Sequence, residues 1–228
     1  ITGSASGIGY GLARAFLARG CNVMLSDVAG ERLEAAAAGL VSPSLASPER
    51  VGCQPCDVTH VGELSRLWSR AVGRFGRVDL WLNNAGVGPP VIRYDQVPAE
   101  WLDRALDVNL RGVMYGTRVA LEGMLAQNGG QNGGQGAGAI YNTVGFVLTP
   151  MTIEENLRIR ERVGEAQWRK IRWVMNAVAD SPEVATPWLV ERILRGERPI
   201  DRLPTGVFLR RILASLVTRP DPVGGHGL

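Results

Sequence analysis

Residues Ile1–Gly9 read Ile-Thr-Gly-Ser-Ala-Ser-Gly-Ile-Gly, and this stretch decides how the rest of the chain is interpreted. Gly3, Gly7 and Gly9 follow the spacing T-G-x-x-x-G-x-G, which is typical of a turn between the end of a strand and the start of a helix. Such a turn brings backbone N–H groups around a phosphate at a helix N-terminus, where the helix dipole favours negative charge. The stretch therefore predicts that the chain binds a dinucleotide.

Each glycine of the turn has its own expected role. Gly3 permits the tight bend, Gly7 lets the backbone approach the diphosphate, and Gly9 lets the helix pack closely on the strand. Ser6 and Ile8 lie between these glycines and belong to the same predicted cofactor-binding set.

Outward from the turn, apolar strands alternate with amphipathic helices. After the strand that ends at Ile1, strands are predicted at 21–26, 51–56, 78–82 and 139–143, and helices at 10–19, 31–40, 61–75 and 99–126. This rhythm predicts an α/β fold, a Rossmann-like doubly wound parallel sheet between two helical layers. The 228 residues suit a single domain over 1–228, with a cofactor half at 1–150 and a helical tail at 151–228.

Composition excludes several functional classes. The net charge of +3 is small and mixed with acidic groups, so no nucleic acid partner is expected. No apolar run has the length of a membrane span. The apolar helical face at 207–217 leaves open membrane contact that is at most peripheral, although packing on the sheet is favoured.

The three cysteines favour a reducing compartment over a disulfide scaffold. Cys53 and Cys56 form a C-x-x-C near His60, which raises metal or redox chemistry. One such pair without a second is a weak signal, so structural packing is favoured and no metal is predicted.

Asp27 follows the strand at 21–26 and stands 18 residues beyond Gly9. A carboxylate at this point accepts hydrogen bonds from both ribose hydroxyls, which favours NAD. A 2′-phosphate would meet a repulsion of up to about 4 kcal/mol at 4 Å in an effective dielectric of 20, which disfavours NADP. The alternative is an aspartate that only starts the next helix or loop.

Three further motifs join the turn in chain order: Cys56-Asp57-Val58, Asn83-Asn84-Ala85-Gly86 and Val108-Asn109-Leu110. Together with the turn they make residues 1–150 resemble the short-chain dehydrogenase/reductase family. The resemblance implies an oxidoreductase that uses NAD or NADP on a small-molecule carbonyl or alcohol. By the same resemblance, Asp57 and Val58 flank the adenine, Asn84, Ala85 and Gly86 lie near its ribose, Thr149 holds the nicotinamide carboxamide, and Asn109 supports catalysis.

The rest of the family's catalytic set is not found. Members of the family use a serine, a tyrosine and a lysine four residues after the tyrosine, and the cation is needed because the tyrosine pKa is ordinarily near 10. The four tyrosines here are followed at that spacing by Arg14, Pro98, Val119 and Gly145. Lys170 is the single lysine of the chain.

The strand at 139–143 is followed directly by residues 144–149, which resemble a segment that family members place one helix and one strand later. The sequence therefore predicts a fold that lacks one helix–strand unit after the fifth strand, and a chain with little or no turnover. The missing helix supplies half of the usual family dimer interface, so a homo-oligomer is doubtful.

The segments at 146–151, 180–185 and 190–195, with Leu203-Pro204, are similar to the C-terminal part of chlorophyll b reductases. That resemblance implies reduction of the 7-formyl group of chlorophyll b, chlorophyll catabolism, a chloroplast location instead of a cytoplasmic one, and NADP, which conflicts with Asp27. Two alternatives stay open. One is a catalytically inactive nucleotide-binding or scaffold protein; the other is a fragment that binds a partner through its C-terminal amphipathic helix.

Overall fold

The computed structural model describes residues 1–88, 94–128, 138–143 and 182–196. The chain divides into two compact units, Ile1–Val144 and Gly145–Leu228, so the division falls close to the predicted end of the cofactor half at residue 150. The organisation as one domain over 1–228 stays a prediction.

In the first unit, helices and strands alternate along the chain as the sequence predicts. The elements are α1 (Gly7–Ala18), β1 (Val23–Leu25), α2 (Gly30–Leu40), β2 (Val51–Cys53), α3 (Val61–Phe75), β3 (Leu80–Asn83), α4 (Ala99–Leu106), α5 (Gly112–Asn128) and β4 (Ala139–Asn142). Short 3₁₀ turns lie at Pro48–Arg50 and Tyr94–Gln96. A π-helical turn at Asp107–Arg111 joins α4 to α5, so the predicted helix at 99–126 is continuous in direction but changes its hydrogen-bond pattern midway.

The strands form two parallel pairs that the first residues of the chain connect. β1 pairs with β2, and β3 pairs with β4. Between the pairs, the N–H of Ser26 donates to the carbonyl of Ile1 at 3.1 Å and the N–H of Thr2 donates to the carbonyl of Leu82 at 3.0 Å. The order across the sheet is therefore β2, β1, the first residues, β3, β4, which confirms the predicted doubly wound parallel arrangement.

This order has a switch point. From the first residues the chain winds outward through β1 and β2, then crosses back to β3 and β4 on the other side. Right-handed crossovers place α1 and α2 on one face of the sheet and α3 and α5 on the other. Ligands of such sheets bind at the carboxyl ends of the strands where the winding reverses, here between the first residues and β3.

The core between α3, α5 and the sheet is built from large apolar side chains. Leu64, Leu67 and Trp81 are almost completely buried, and the Trp68 and Trp81 rings lie 6.0 Å apart. Gly123 on α5 permits this packing, since a Cβ there would lie 2.1 Å from the Trp68 ring. The outer face of the α4–α5 region exposes apolar side chains, namely Leu106, Leu110, Met114, Leu121 and Leu125.

The described part of the second unit is helix α6 (Pro182–Leu194). Val190 and Ile193 on this helix are buried, and the Arg192 guanidinium lies 4.7 Å from the centre of the Trp188 ring. The predicted missing helix–strand unit after β4 and the predicted apolar face at 207–217 fall on residues outside the described ranges. Among the described helices, none combines the length and the apolar character needed to cross a membrane.

Candidate functional site

Four chain segments leave the carboxyl ends of the strands at the switch point and bring polar groups together there. They are the glycine-rich turn, the residues after β1, the residues after β3, and the residue after β4.

The glycine-rich turn ends in a helix whose first N–H groups point along its axis. Ser6 is the N-cap of α1, Gly7 is its first residue with φ of +58°, and the N–H of Tyr10 donates to the carbonyl of Ser6 at 3.2 Å. The N–H groups of Gly7, Ile8 and Gly9 therefore precede the first hydrogen bond of the helix. These three donors lie where a phosphate binds at a helix N-terminus.

Gly3 and Gly9 make the turn compact. Gly3 has φ of +62°, a region that favours glycine, and a Cβ on it would lie 2.6 Å from the Cα of Ala85. A Cβ on Gly9 would lie 2.3 Å from the carbonyl oxygen of Gly3 and 2.6 Å from the Asn84 Nδ2. The turn is thus packed against the residues that follow β3, and neither glycine has room for a side chain.

Asp27 lies beside the turn. Its Oδ2 accepts a hydrogen bond from the N–H of Ala5 at 3.2 Å, which holds the carboxylate next to the predicted phosphate site. At the same glycine-rich turn, the Arg32 guanidinium donates to the Ser6 hydroxyl at 3.3 Å. The sequence interpretation missed Arg32, because an exposed arginine in the first turn of a helix carries no signal of its own.

Asp57 is engaged by its own loop. Its carboxylate accepts hydrogen bonds from the N–H of Thr59 at 2.9 Å and from the Thr59 hydroxyl at 2.8 Å, an Asx turn before α3. Partial burial pushes the pKa of this carboxyl up, but the bonds from Thr59 and the nearby His60 outweigh it and hold the pKa below its ordinary value. Val58 is buried, and a Cβ on Gly112 of α5 would lie 2.7 Å from its Cγ2.

Asn84 connects the end of β3 to the turn. Its side-chain amide donates to the carbonyls of Thr2 at 3.0 Å and Gly3 at 2.9 Å. The Thr2 hydroxyl in return accepts the N–H groups of Asn84 at 2.9 Å and Ala85 at 3.0 Å. The predicted ribose-side residues therefore hold the turn in place, whatever contact they make with a ligand.

Asn109 lies in the π-helical turn and grips the loop after β3. Its side chain accepts the N–H of Val87 at 2.8 Å and donates to the carbonyl of Val87 at 2.8 Å. A Cβ on Gly86 would lie 3.3 Å from the Asn109 Oδ1, so this loop passes close to the asparagine. π-Helical turns occur frequently at functional sites, and this one aims Asn109 at the switch point.

The remaining predicted groups do not complete a catalytic set in the described residues. Thr149, predicted to hold the carboxamide, and Lys170 lie outside the described ranges. Tyr115 is partly buried against the core between α3, α5 and the sheet, and Tyr141 lies on β4. Among the described residues, the predicted cofactor-binding residues and Asn109 lie at the carboxyl edge of the sheet, and no tyrosine–lysine pair accompanies them.

Of the two cysteines in the C-x-x-C, Cys56 is buried in the core between α3, α5 and the sheet, and Cys53 is half-buried at the end of β2. Burial raises the pKa of the Cys56 thiol to about 12, with further contributions from the Glu63 and Asp57 carboxylates, and burial also raises the pKa of Cys53. A thiol held protonated is a poor nucleophile and a poor metal ligand.

A cavity lies at the opposite end of the strands. It has a volume of about 380 Å³, and its lining includes Asn22 and Val23 at the start of β1 and Asp79 and Leu80 at the start of β3. Because the switch point opens at the carboxyl ends, this cavity is separate from the candidate site.

The fold and the turn together define a dinucleotide-binding protein of Rossmann type. Residues 1–132 match the family model of the short chain dehydrogenases, and the chain belongs to this family. It is 40% identical over 121 residues to momilactone A synthase of rice, Oryza sativa subsp. japonica, a match that covers 53% of this chain and 42% of that enzyme.

Solved structures give the same fold. Levodione reductase superposes with a TM-score of 0.69 at 21% identity, over 85% of this chain and 88% of that one. A 3-ketoacyl-(acyl-carrier-protein) reductase of Brucella melitensis, solved with NADH, superposes with a TM-score of 0.60 at 20% identity, over 87% and 89% of the two chains. The chain spans about half the length, or less, of the curated relatives that it matches.

Proposed function

We propose that this chain binds a nicotinamide dinucleotide at the glycine-rich turn and serves as an NAD(P)-dependent oxidoreductase on a small-molecule carbonyl or alcohol. The observation that carries the proposal is the trio of N–H donors of Gly7, Ile8 and Gly9 at the start of α1, beside the carboxylate of Asp27. Family membership supports it, as does the NADH in the Brucella structure of the same fold.

The residues present fit such a cofactor. The turn has no Cβ at Gly3, Gly7 or Gly9, so the diphosphate can approach the backbone, and the N–H donors match its negative charge. The nicotinamide, when bound, supplies the hydride. This chain's own contribution is to hold the diphosphate at α1 and to fix the loop after β3 through Asn109.

Two charged side chains beside the glycine-rich turn, Asp27 and Arg32, affect the preference between NAD and NADP. Asp27 favours NAD, because its carboxylate would repel a 2′-phosphate. Arg32, which donates to Ser6 of the same turn, places a positive charge nearby and reduces that preference. We propose NAD as the preferred cofactor, with NADP bound more weakly.

A second candidate function is a catalytically inactive nucleotide-binding or scaffold protein. The observation that favours it is the sequence itself, in which no tyrosine is followed four residues later by lysine. Without the general acid, turnover is expected to fall by about 10²–10⁴-fold. A homo-oligomer stays doubtful in this reading, and no nucleic acid partner is proposed.

A narrower proposal follows the tail's similarity to chlorophyll b reductases: the substrate is the 7-formyl group of chlorophyll b, the location is the chloroplast, and membrane contact is at most peripheral. For any other substrate of this class we propose a cytoplasmic location. Only residues 182–196 of the tail are described, so this proposal is supported by the sequence resemblance alone.

A calorimetric titration tests the proposed function. NADH and NADPH are titrated into the wild-type chain and into two glycine variants, Gly7→Ala and Gly76→Ala, with folding verified by circular dichroism. Both glycines have positive φ, of +58° and +83°, so both variants carry similar backbone strain. Gly76 ends α3, away from the turn.

We expect the wild type and Gly76→Ala to bind NADH and Gly7→Ala to lose most of that binding. Absence of heat with both nucleotides in a folded wild-type sample would refute the function. Equal loss in the two variants would show that the turn does not carry the binding.

A further inference from the structure

We propose that Thr143, the residue after β4, is a positioning residue for the glycine-rich turn, acting through the side chain of Asn84. The proposal rests on the proposed function, in which this turn binds the diphosphate. Thr143 does not touch the turn itself. Its N–H donates to the carbonyl of Asn83 at 3.0 Å, and its hydroxyl donates to the Asn84 Oδ1 at 2.9 Å.

The direction of these hydrogen bonds is fixed by the chemistry of the partners. The Asn84 Nδ2 faces two backbone carbonyls, those of Thr2 and Gly3. Carbonyls only accept, so the NH₂ end of the amide must face them and the oxygen end must face Thr143. The Thr143 hydroxyl is therefore the donor of that pair.

This direction separates a positioning role from a catalytic one. A threonine hydroxyl carries one proton, and Thr143 donates it in the hydrogen bond to the Asn84 Oδ1. The hydroxyl can still accept a hydrogen bond, but it cannot protonate or polarise a substrate carbonyl while it holds Asn84. Thr143 does not replace the missing serine or tyrosine.

A short series of contacts connects Thr143, after β4, with the N–H groups at the start of α1. Asn84 holds the carbonyl of Gly3, and that oxygen lies 2.3 Å from the place a Cβ on Gly9 would occupy. Gly9 is in the first turn of α1, next to Gly7 and Ile8. The orientation of the Gly3 carbonyl thus constrains the helix start whose N–H groups form the proposed site.

Loss of the Thr143 hydroxyl would remove the hydrogen-bond donor to the Asn84 side-chain oxygen. The Asn84 Oδ1 is partly buried, and without its donor the amide rotates to find another partner. Rotation moves the NH₂ group away from the carbonyls of Thr2 and Gly3. We expect the turn to lose its fixed geometry while the sheet remains paired.

Three variants test this inference. Thr143→Val keeps the shape and removes the hydroxyl, and Thr143→Ser restores the hydroxyl. Thr117→Val is the matched control, because the Thr117 hydroxyl also bonds an asparagine side chain, accepting from the Asn83 Nδ2 at 3.1 Å, without a link to the turn. Each variant is measured for thermal midpoint, for NADH affinity by calorimetry, and for amide hydrogen exchange by NMR.

In Thr143→Val we expect roughly tenfold weaker NADH binding and faster exchange of the Ser4, Ala5 and Tyr10 amides, with exchange in α3 unchanged. Thr143→Ser should restore both quantities. Thr117→Val should change NADH affinity by less than about twofold even if it lowers the thermal midpoint equally.

The inference is overturned if Thr143→Val leaves the exchange of the turn amides unchanged, or if affinity falls in both valine variants in proportion to stability. If the wild type binds no dinucleotide, the proposed function fails. Amide exchange then still decides whether Thr143 fixes the turn.

Discussion

Backbone groups of two neighbouring segments hold Asp27 in place. The N–H of Ala5 donates to its carboxylate at 3.2 Å, and the backbone carbonyl of Asp27 accepts the N–H of Cys56 at 3.0 Å. Both bonds fix Asp27 beside the turn, and among the described residues no hydrogen bond reaches its Oδ1.

Replacing Asp27 by serine tests the preference for NAD. We expect the ratio of NADPH to NADH affinity to rise by roughly tenfold or more in Asp27→Ser, since the repulsion of a 2′-phosphate is removed while Arg32 remains. Calorimetry with both nucleotides measures the ratio. Asp79→Ser is the control for net charge, because Asp79 pairs with Arg77 at the amino end of β3, and a ratio that moves equally in both variants would contradict the assignment.

The Cys56 thiol is buried in the core between α3, α5 and the sheet. Its folded-state pKa is raised from 9.0 to about 12, mainly by burial, so its protonated form is favoured by folding. The stabilisation is present below pH 9 and is lost as the pH rises from 9 toward 12.

At pH 8.5 we expect iodoacetamide to modify the half-buried Cys21 and Cys53 before Cys56, and all three equally in urea, as read by mass spectrometry. Modification of native Cys56 as fast as Cys53 would show that the thiol is accessible and ionised.

At the scale of elements, α3 is stabilised by packing on one side only. The apolar residues of α3 recur at helical spacing, and the buried ones contact α5 and the sheet. On the outer side of the α4–α5 region, by contrast, the leucines Leu110 and Leu121 are about half exposed. The same residue type therefore contributes very differently to stability on the two sides.

Leucine-to-alanine substitutions measure this difference. Leu64 is fully buried, so Leu64→Ala should lower the free energy of unfolding by about 2–5 kcal/mol through the cavity that it leaves. Leu110→Ala is the control and should change it by less than about 0.5 kcal/mol. Urea unfolding followed by tryptophan fluorescence gives both values, and similar losses in the two variants would mean that Leu110 is covered in solution.

Asn109 lies in the π-helical turn Asp107–Arg111, between α4 and α5. An uninterrupted α-helix would advance Asn109 by 100° for each residue from α4, whereas the π-helical turn shifts this register. In the observed register Asn109 makes both of its hydrogen bonds to Val87. The asparagine thereby ties the helix to the loop after β3.

For the whole molecule, the decisive question is whether binding leads to turnover. The proposed oxidoreductase and the inactive alternative differ in this outcome. For the chain as given we expect little or no reduction of simple aldehydes and ketones by NADH, the result that favours the inactive alternative, because no tyrosine in the sequence is followed four residues later by lysine. Reduction above the rate of a buffer blank would favour the oxidoreductase. The decrease in NADH absorbance measures the rate of turnover. Turnover at ordinary rates that Asn109→Ala abolishes would show that another group has taken over this role.

The genomic sequence between the codons of Thr143 and Val144 then separates the two candidate functions. A segment there that encodes Y-x-x-x-K indicates an incomplete copy of an active enzyme. No such segment indicates a nucleotide-binding protein without catalysis.

Much of the fold could be predicted from the sequence, because it depends on local patterns. The turn is specified by three glycines within seven residues, and two of them have the positive φ that favours glycine. The helices and strands of the first unit follow from apolar periodicity. Their order along the chain restricts the topology to a doubly wound sheet.

Other features depended on residues far apart in the chain, and only the tertiary structure decided them. Thr143 and Asn84 are 59 residues apart, Arg32 and Ser6 are 26 apart, and no local pattern links either pair. Asp57 stays predicted as an adenine contact, and the structure adds that its carboxylate accepts two hydrogen bonds from Thr59.

The sequence alone predicts a glycine-rich turn at the start of a parallel α/β sheet, because glycine freedom and apolar periodicity act over a few residues. The tertiary structure alone decided which side chains hold that turn in shape. Hydrogen bonds between distant segments exist only once the strands have been brought side by side.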